Sequence, residues 1–227
     1  MSKRPKNLFS HRGLRPDQKK PNSFEAVTSR QGIGIECDVC LLADGNLAIV
    51  HHKDVGIAQK LVEDMTLQQL SEHVCAPLLR EYLHLALDRE NRLLIEIKGS
   101  SFQKAQQTAS STIKEIALVL TNPDLVSVQS FYAEALEEAK TTMHEIGIQI
   151  KLGLLWPSSQ PVLSGLEFVH SKGFDAFNPH ESQVTPGLVN TAHGYGIEVN
   201  AWVVNDPDRA KKLEAMGVDH LITETLG

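Results

Sequence analysis

Short apolar runs alternate with amphipathic stretches almost from end to end of the chain. The runs suited to strands fall at residues 7–10, 34–41, 47–51, 93–97, 125–129, 147–151, 176–178, 198–203 and 220–223. Between most of them, apolar residues recur at helical spacing. Residues 105–120 align Ala109, Ile113, Ile116, Ala117 and Leu120 on one side. Ala133, Leu136, Ala139 and Met143 follow, then Ala210, Leu213 and Met216. Gly147, Gly173, Gly196 and Gly217 each stand just past such a stretch, where a left-handed residue closes a helix. Asn22 followed by Glu25 has capping-box spacing and predicts a helix right after the first loop.

Regular strand–helix alternation argues a parallel sheet with right-handed crossovers, either a closed barrel or an open doubly wound sheet. Asp44-Gly45 is a tight-turn signal, so the runs at 34–41 and 47–51 form a hairpin and only one of them is a barrel stave. Eight staves remain. No GxGxxG or GxxxxGK follows the first strand, which removes the usual sign of a nucleotide-binding open sheet. The expectation is an α/β fold, a (β/α)8 TIM barrel, forming a single domain over residues 1–227. A small irregular insertion is expected after the second strand, since residues 54–88 hold no clear barrel strand.

Composition narrows the function classes. With 41% hydrophobic and 22% charged residues in 227, the chain can bury a sizeable core without staples. A net charge of −6 gives no reason to expect nucleic acid or an acidic membrane surface as partner. Cys37, Cys40 and Cys75 make neither a disulfide framework nor a zinc set, so reduced thiols and a cytoplasmic location are expected. No run approaches a membrane span, and the polar opening residues lack the apolar segment of a leader.

The chemistry gathers at strand ends. Glu36 and Asp38 lie two apart in a strand and share a face, while Ile35, Cys37 and Val39 on the other face suit a helix layer. Two carboxylates inside a barrel repel each other unless a divalent cation lies between them. The next stave repeats the pattern with Glu96 and Lys98. His11 closes the first strand, with Arg12 beside it as a planar donor fork, and His51 closes the run at 47–51. Two imidazoles can divide proton transfer between them. Three carboxylates, two histidines and one or two cations suit cleavage of a phosphodiester. Metal-assisted enolisation uses a similar set and stays open at this point.

In this order and spacing the residues resemble the glycerophosphodiester phosphodiesterase family, whose fold is a (β/α)8 barrel. His11-Arg12-Gly13 matches its HRG opening, Glu36 and Asp38 its E-x-D strand, and Asp44-Gly45 its turn. His51, Glu96-Ile97-Lys98, Ser130-Phe131 and Trp202 with Asn205 follow in register, and Gly217-Val218-Asp219 precedes Thr223. The resemblance implies that Glu36, Asp38 and Glu96 bind Mg²⁺ or Ca²⁺ and that His11 and His51 are the acid–base pair. Arg12 and Lys98 would engage phosphate, and Trp202 would wall the glycerol moiety or only fill the mouth. The implied substrate is a small phosphodiester such as glycerophosphocholine, cleaved to an alcohol and glycerol 3-phosphate. Three positions depart from the family pattern: Pro21 where an acid is usual, His52 where Asp follows the second histidine, and Glu224 for Asp beside Thr223. Phospholipase D-like cleavage of lysolipid or sphingolipid head groups, and an inactive phosphodiester-binding protein, are the alternatives.

Overall fold

The computed structural model describes residues 7–29, 31–56 and 61–226. The polar opening at residues 1–6, and residues 57–60 of the uncertain stretch, lie outside the described residues. The chain runs β1 (Leu8–Ser10), α1 (Phe24–Thr28), β2 (Gly34–Leu41), β3 (Leu47–Ile49), α2 (His52–Val55), α3 (Leu67–Ser71) and α4 (Leu79–Leu87). It continues with β4 (Arg92–Ile97), α5 (Phe102–Val119), β5 (Val126–Ser130), α6 (Ala133–Ile146), β6 (Lys151–Trp156) and α7 (Val162–Lys172). β7 (Ala176–Pro179), α8 (Pro186–Gly194), β8 (Glu198–Ala201), α9 (Pro207–Ala215) and β9 (His220–Thr223) complete it.

Eight strands pair in parallel in the order β1-β9-β8-β7-β6-β5-β4-β2, and the β1–β2 pairing closes the ring. β3 pairs antiparallel with the outer half of β2 through the Asp44-Gly45 turn and stays outside the barrel. This is the expected (β/α)8 barrel. Period-two alternation sorts the side chains. Ile35, Cys37, Val39, Leu93, Ile95 and Ile97 face the helix layer and join one core with Leu83, Ile113 and Leu136. The alternate residues face the lumen, where Phe9, Leu94 and Ile222 pack with Trp202 above them. Cys40, Ala48, Val50, Val62, Met65 and Leu70 form a separate small core that ties the insertion to the β2–β3 extension.

Two local expectations are corrected. Residues 147–151 are not a strand: Gly147, at φ 81°, caps α6, and β6 begins at Lys151. Gly153 disguised the true strand, because a glycine inside an apolar run reads as a break. Lys151 therefore opens its strand, at the end of the barrel away from the mouth, and pairs with Glu198 at 2.5 Å. The helix expected to open at Asn22 is capped by Ser23, whose hydroxyl accepts from Ala26 N at 3.4 Å. Among the described residues, no helix is long and apolar enough to cross a membrane.

Candidate active site

β1 delivers His11 and Arg12 into a tight turn whose closure depends on Gly13. Its φ is +70°, and a Cβ there would come within 2.2 Å of Ala26 Cβ. The turn aims Arg12 N at Glu36 Oε2, 2.9 Å away. Asn22 is also left-handed, at φ 52°, and turns its amide inward. Its Nδ2 donates to Asp38 Oδ2 at 2.9 Å, and its Oδ1 accepts from Asp38 N at 3.1 Å. A buried carboxylate is a stronger claim on an amide than a neutral helix N–H, which is why Ser23 takes the cap.

β2 and β4 lie side by side with Asp38 opposite Glu96, so the two acidic pairs meet. Oxygens of Glu36, Asp38 and Glu96 lie within 4.8 Å of one another, and the three residues are only 1%, 0% and 6% exposed. Burial and the Asp38 charge push the Glu36 carboxyl up to about 8. Burial, with Asp38 and Glu36 nearby, pushes Glu96 up to about 7 against the pull of Lys98. Burial works the same way on Asp38, but Lys98 and Arg12 outweigh it and hold that carboxyl below its ordinary value. Lys98 Nζ lies 2.9 Å from Asp38 Oδ1 and bonds Glu96, and Arg12 Nε lies 3.2 Å from Asp38 Oδ2. Three dry carboxylates against two cations leave a deficit of positive charge centred on Glu36. An all-oxygen donor set of this kind fits a hard divalent cation, and the cluster can hold one.

Both histidines stand at the same mouth. His11 Nδ1 bonds Glu224 Oε1 at 2.9 Å, and its Nε2 lies 4.0 Å from Glu36 Oε2. Glu224 is itself held by Asn205, whose Nδ2 donates to Oε2 at 3.0 Å and whose Oδ1 accepts from Glu224 N at 2.9 Å. Partial burial would raise the Glu224 carboxyl, but the bonds from His11 and Asn205 bring it below its ordinary value. His51 caps α2 instead of ending a strand, its Nδ1 accepting from Lys53 N at 3.1 Å. The backbone thus orients the His51 ring, while the ring of His52, which stands where the family pattern has Asp, packs 4.6 Å from it. Burial, with the charges of Lys98 and Arg12, pushes His51 down to about 3 against the pull of Asp38.

Trp202 is half-buried at the mouth. It donates from Nε1 to Asn178 O at 2.7 Å and meets Phe131 and His180 edge-on at 5.4 and 5.3 Å. The structure thus gathers all eight residues singled out from the sequence at the mouth to which the C-terminal ends of the barrel strands point, where barrel active sites lie. Sequence reasoning missed three others that hydrogen-bond to the acidic cluster or to His11. The spacing of Asn22 marks it as a helix cap, Glu224 stands out only as a departure from the family pattern, and Gln129, which donates to Glu36 Oε1 at 3.3 Å, belongs to no motif. A lone Gln on the inner face of an apolar strand was the available signal for the last.

The sequence matches the Glycerophosphoryl diester phosphodiesterase family over residues 11–227. It is 27% identical to a glycerophosphodiester phosphodiesterase of Bacillus altitudinis, covering 96% of this chain and 94% of that one. It is 24% identical to one of Caldanaerobacter subterraneus, covering 89% and 86%. Among solved structures, a glycerophosphodiester phosphodiesterase from Parabacteroides distasonis superposes with a TM-score of 0.79 at 22% identity, covering 96% of this chain and 92% of that one. An Oleispira antarctica phosphodiesterase in complex with the product sn-glycerol-3-phosphate superposes at 0.77 and 20% identity, covering 96% and 92%. With the match running through nearly every element of the barrel, the chain belongs to the glycerophosphoryl diester phosphodiesterase family.

Proposed function

We propose that the protein hydrolyses small glycerophosphodiesters to an alcohol and glycerol 3-phosphate, with Mg²⁺ or Ca²⁺ held by Glu36, Asp38 and Glu96. The observation that carries this reading is the meeting of three dry carboxylates, two cations and two differently oriented imidazoles at one mouth. Family membership supports the reaction class. The bound cation would neutralise the acidic cluster and polarise a phosphoryl oxygen.

The histidines present opposite faces. Glu224 only accepts, so it holds the His11 proton on Nδ1 and leaves Nε2 as a base. Lys53 N only donates, so neutral His51 keeps its proton on Nε2. His11 takes the proton of the attacking hydroxyl, and Glu224 stabilises the imidazolium that results. His51 presents Nε2–H to the departing alcohol oxygen. Arg12 and Lys98 meet the phosphate oxygens, where charge grows in the transition state. Trp202 and Phe131 border the glycerol moiety.

The test offers glycerophosphocholine, glycerophosphoethanolamine and lysophosphatidylcholine in EDTA, Mg²⁺ or Ca²⁺, and identifies which product keeps the phosphate. Glycerol 3-phosphate should appear only with a divalent cation, and His11→Ala should lower the rate by about 10²–10⁴-fold. Wild-type turnover that persists in EDTA, or E36Q/D38N turning over at the wild-type rate in Mg²⁺ or Ca²⁺, would reject the metal assignment, and full turnover in H11A the proton-transfer role.

A further inference from the structure

The Glu36 carboxylate is the end of a hydrogen-bonded row that crosses the barrel lumen. Gln129 Nε2 donates to Glu36 at 3.3 Å, Asn178 Nδ2 to Gln129 Oε1 at 2.8 Å, and Asn200 Nδ2 to Asn178 Oδ1 at 3.0 Å. His220 Nδ1 bonds Asn200 Oδ1 at 2.9 Å, and Arg92 Nη1 lies 3.3 Å from His220 Nε2. The two ends fix the direction of every link. A guanidinium can only donate and a carboxylate can only accept, so each amide between them is locked in one orientation and His220 must carry its proton on Nδ1. Burial and the neighbouring Arg92 both lower the His220 pKa, in keeping with a neutral ring; Glu198 and Asp219 act the other way.

The row is dry in its middle, with Gln129, Asn178 and Asn200 at 1%, 0% and 5% exposure. It also has a space made for it. A Cβ on Gly153 would lie 2.7 Å from Asn178 Nδ2 and 3.1 Å from its Oδ1. No positive φ demands glycine at that position, so the smallest residue serves to seat an amide.

We infer that Arg92, His220, Asn200, Asn178 and Gln129 form a one-way relay of aligned dipoles that orients the Glu36 carboxylate for cation binding, with Gln129 as the positioning residue in contact. The inference rests on the reading of Glu36, Asp38 and Glu96 as a cation site. Aligned hydrogen bonds polarise one another, so a break far from the site reaches Glu36. A group bonded behind a metal ligand governs affinity as well as geometry.

The test titrates Ca²⁺ alone, and in a second series Mg²⁺ alone, calorimetrically into the full chain and three variants, with thermal midpoints recorded in EDTA. Gln129→Met keeps the length and loses the bond, and affinity should fall by about 10- to 100-fold. Gly153→Ala displaces Asn178, and Asn200→Leu breaks the row near its foot; each should weaken cation binding by about threefold or more while the chain stays folded. Nitrogen NMR of the wild type should show His220 protonated at Nδ1. Wild-type affinity in all three variants, or a loss in Gln129→Met only, overturns the relay and leaves the cation site standing; so does His220 protonated at Nε2. Absence of uptake of both Ca²⁺ and Mg²⁺ by the wild type overturns the cation site itself and the relay with it.

Discussion

Replacing Glu36 with glutamine removes one titrating group from a dry cluster and leaves its shape. Burial and the charge of Asp38 hold that carboxyl at about 8, whereas the ordinary value is 4.5. Across that window the folded chain keeps a proton that the unfolded chain has released, so stability falls as pH rises from about 5 to about 8. At about 1.4 kcal/mol per tenfold in proton affinity, the effect is on the order of a few kcal/mol. In a chain of this length each kcal/mol moves the thermal midpoint by about 2–4 °C. The variant cannot ionise there. Its amide nitrogen meets one of the two donors that now reach Glu36, Arg12 N or Gln129 Nε2, which costs a fixed amount at every pH. The informative quantity is therefore a slope: midpoints of both proteins in EDTA from about pH 5 to about pH 9. The difference should shift toward E36Q by about 10–20 °C over that range. Mg²⁺ or Ca²⁺ at about 100 times its Kd should then raise the wild type by about 2.7 kcal/mol at the alkaline end, and the variant far less. Parallel curves in EDTA would refute the argument from desolvated, mutually repelling carboxylates.

The remaining expectations concern the histidines and the first turn. Glu224→Gln lets the acceptor that holds His11 be replaced by a donor, and kcat should drop by about tenfold or more with KM little changed; an unaltered kcat would remove Glu224 from its positioning role. His51 is pushed down to about 3 from an ordinary 6.5, so the unfolded chain takes up a proton first and stability is lost as pH falls through that interval. His51→Gln should flatten the acid limb of a midpoint-versus-pH curve, and an unchanged limb would contradict the buried, neutral ring. Gly13→Ala combines a φ of +70° with a contact of 2.2 Å to Ala26, and should cost about 2 kcal/mol or more in chemical denaturation. A midpoint equal to wild type would mean that the His11–Gly13 turn is not held as described.

The alternation of short apolar runs with helical spacing was enough to give the barrel, because strand and helix periods are local properties of the chain. It was also enough to place Glu36, Asp38, Glu96 and Lys98 on inner faces, since period two leaves only two choices and Ile35, Cys37, Ile95 and Ile97 filled the other. Where local signals conflicted, the sequence misled. Gly153 broke a hydrophobic run that is a strand, and Asn22 offered a capping spacing that a buried Asp38 overrode. Partners far apart in the chain were decided by closure of the barrel alone. Glu224 reaches His11 only because β9 pairs with β1, and Asp38 faces Glu96 only in the β2–β4 register. Gln129, Asn178, Asn200 and His220 look like scattered polar residues until the lumen brings them within hydrogen-bond distance. Hydrogen bonds act over about 3 Å and desolvation depends on everything packed around a group, so neither can be read from positions along a line.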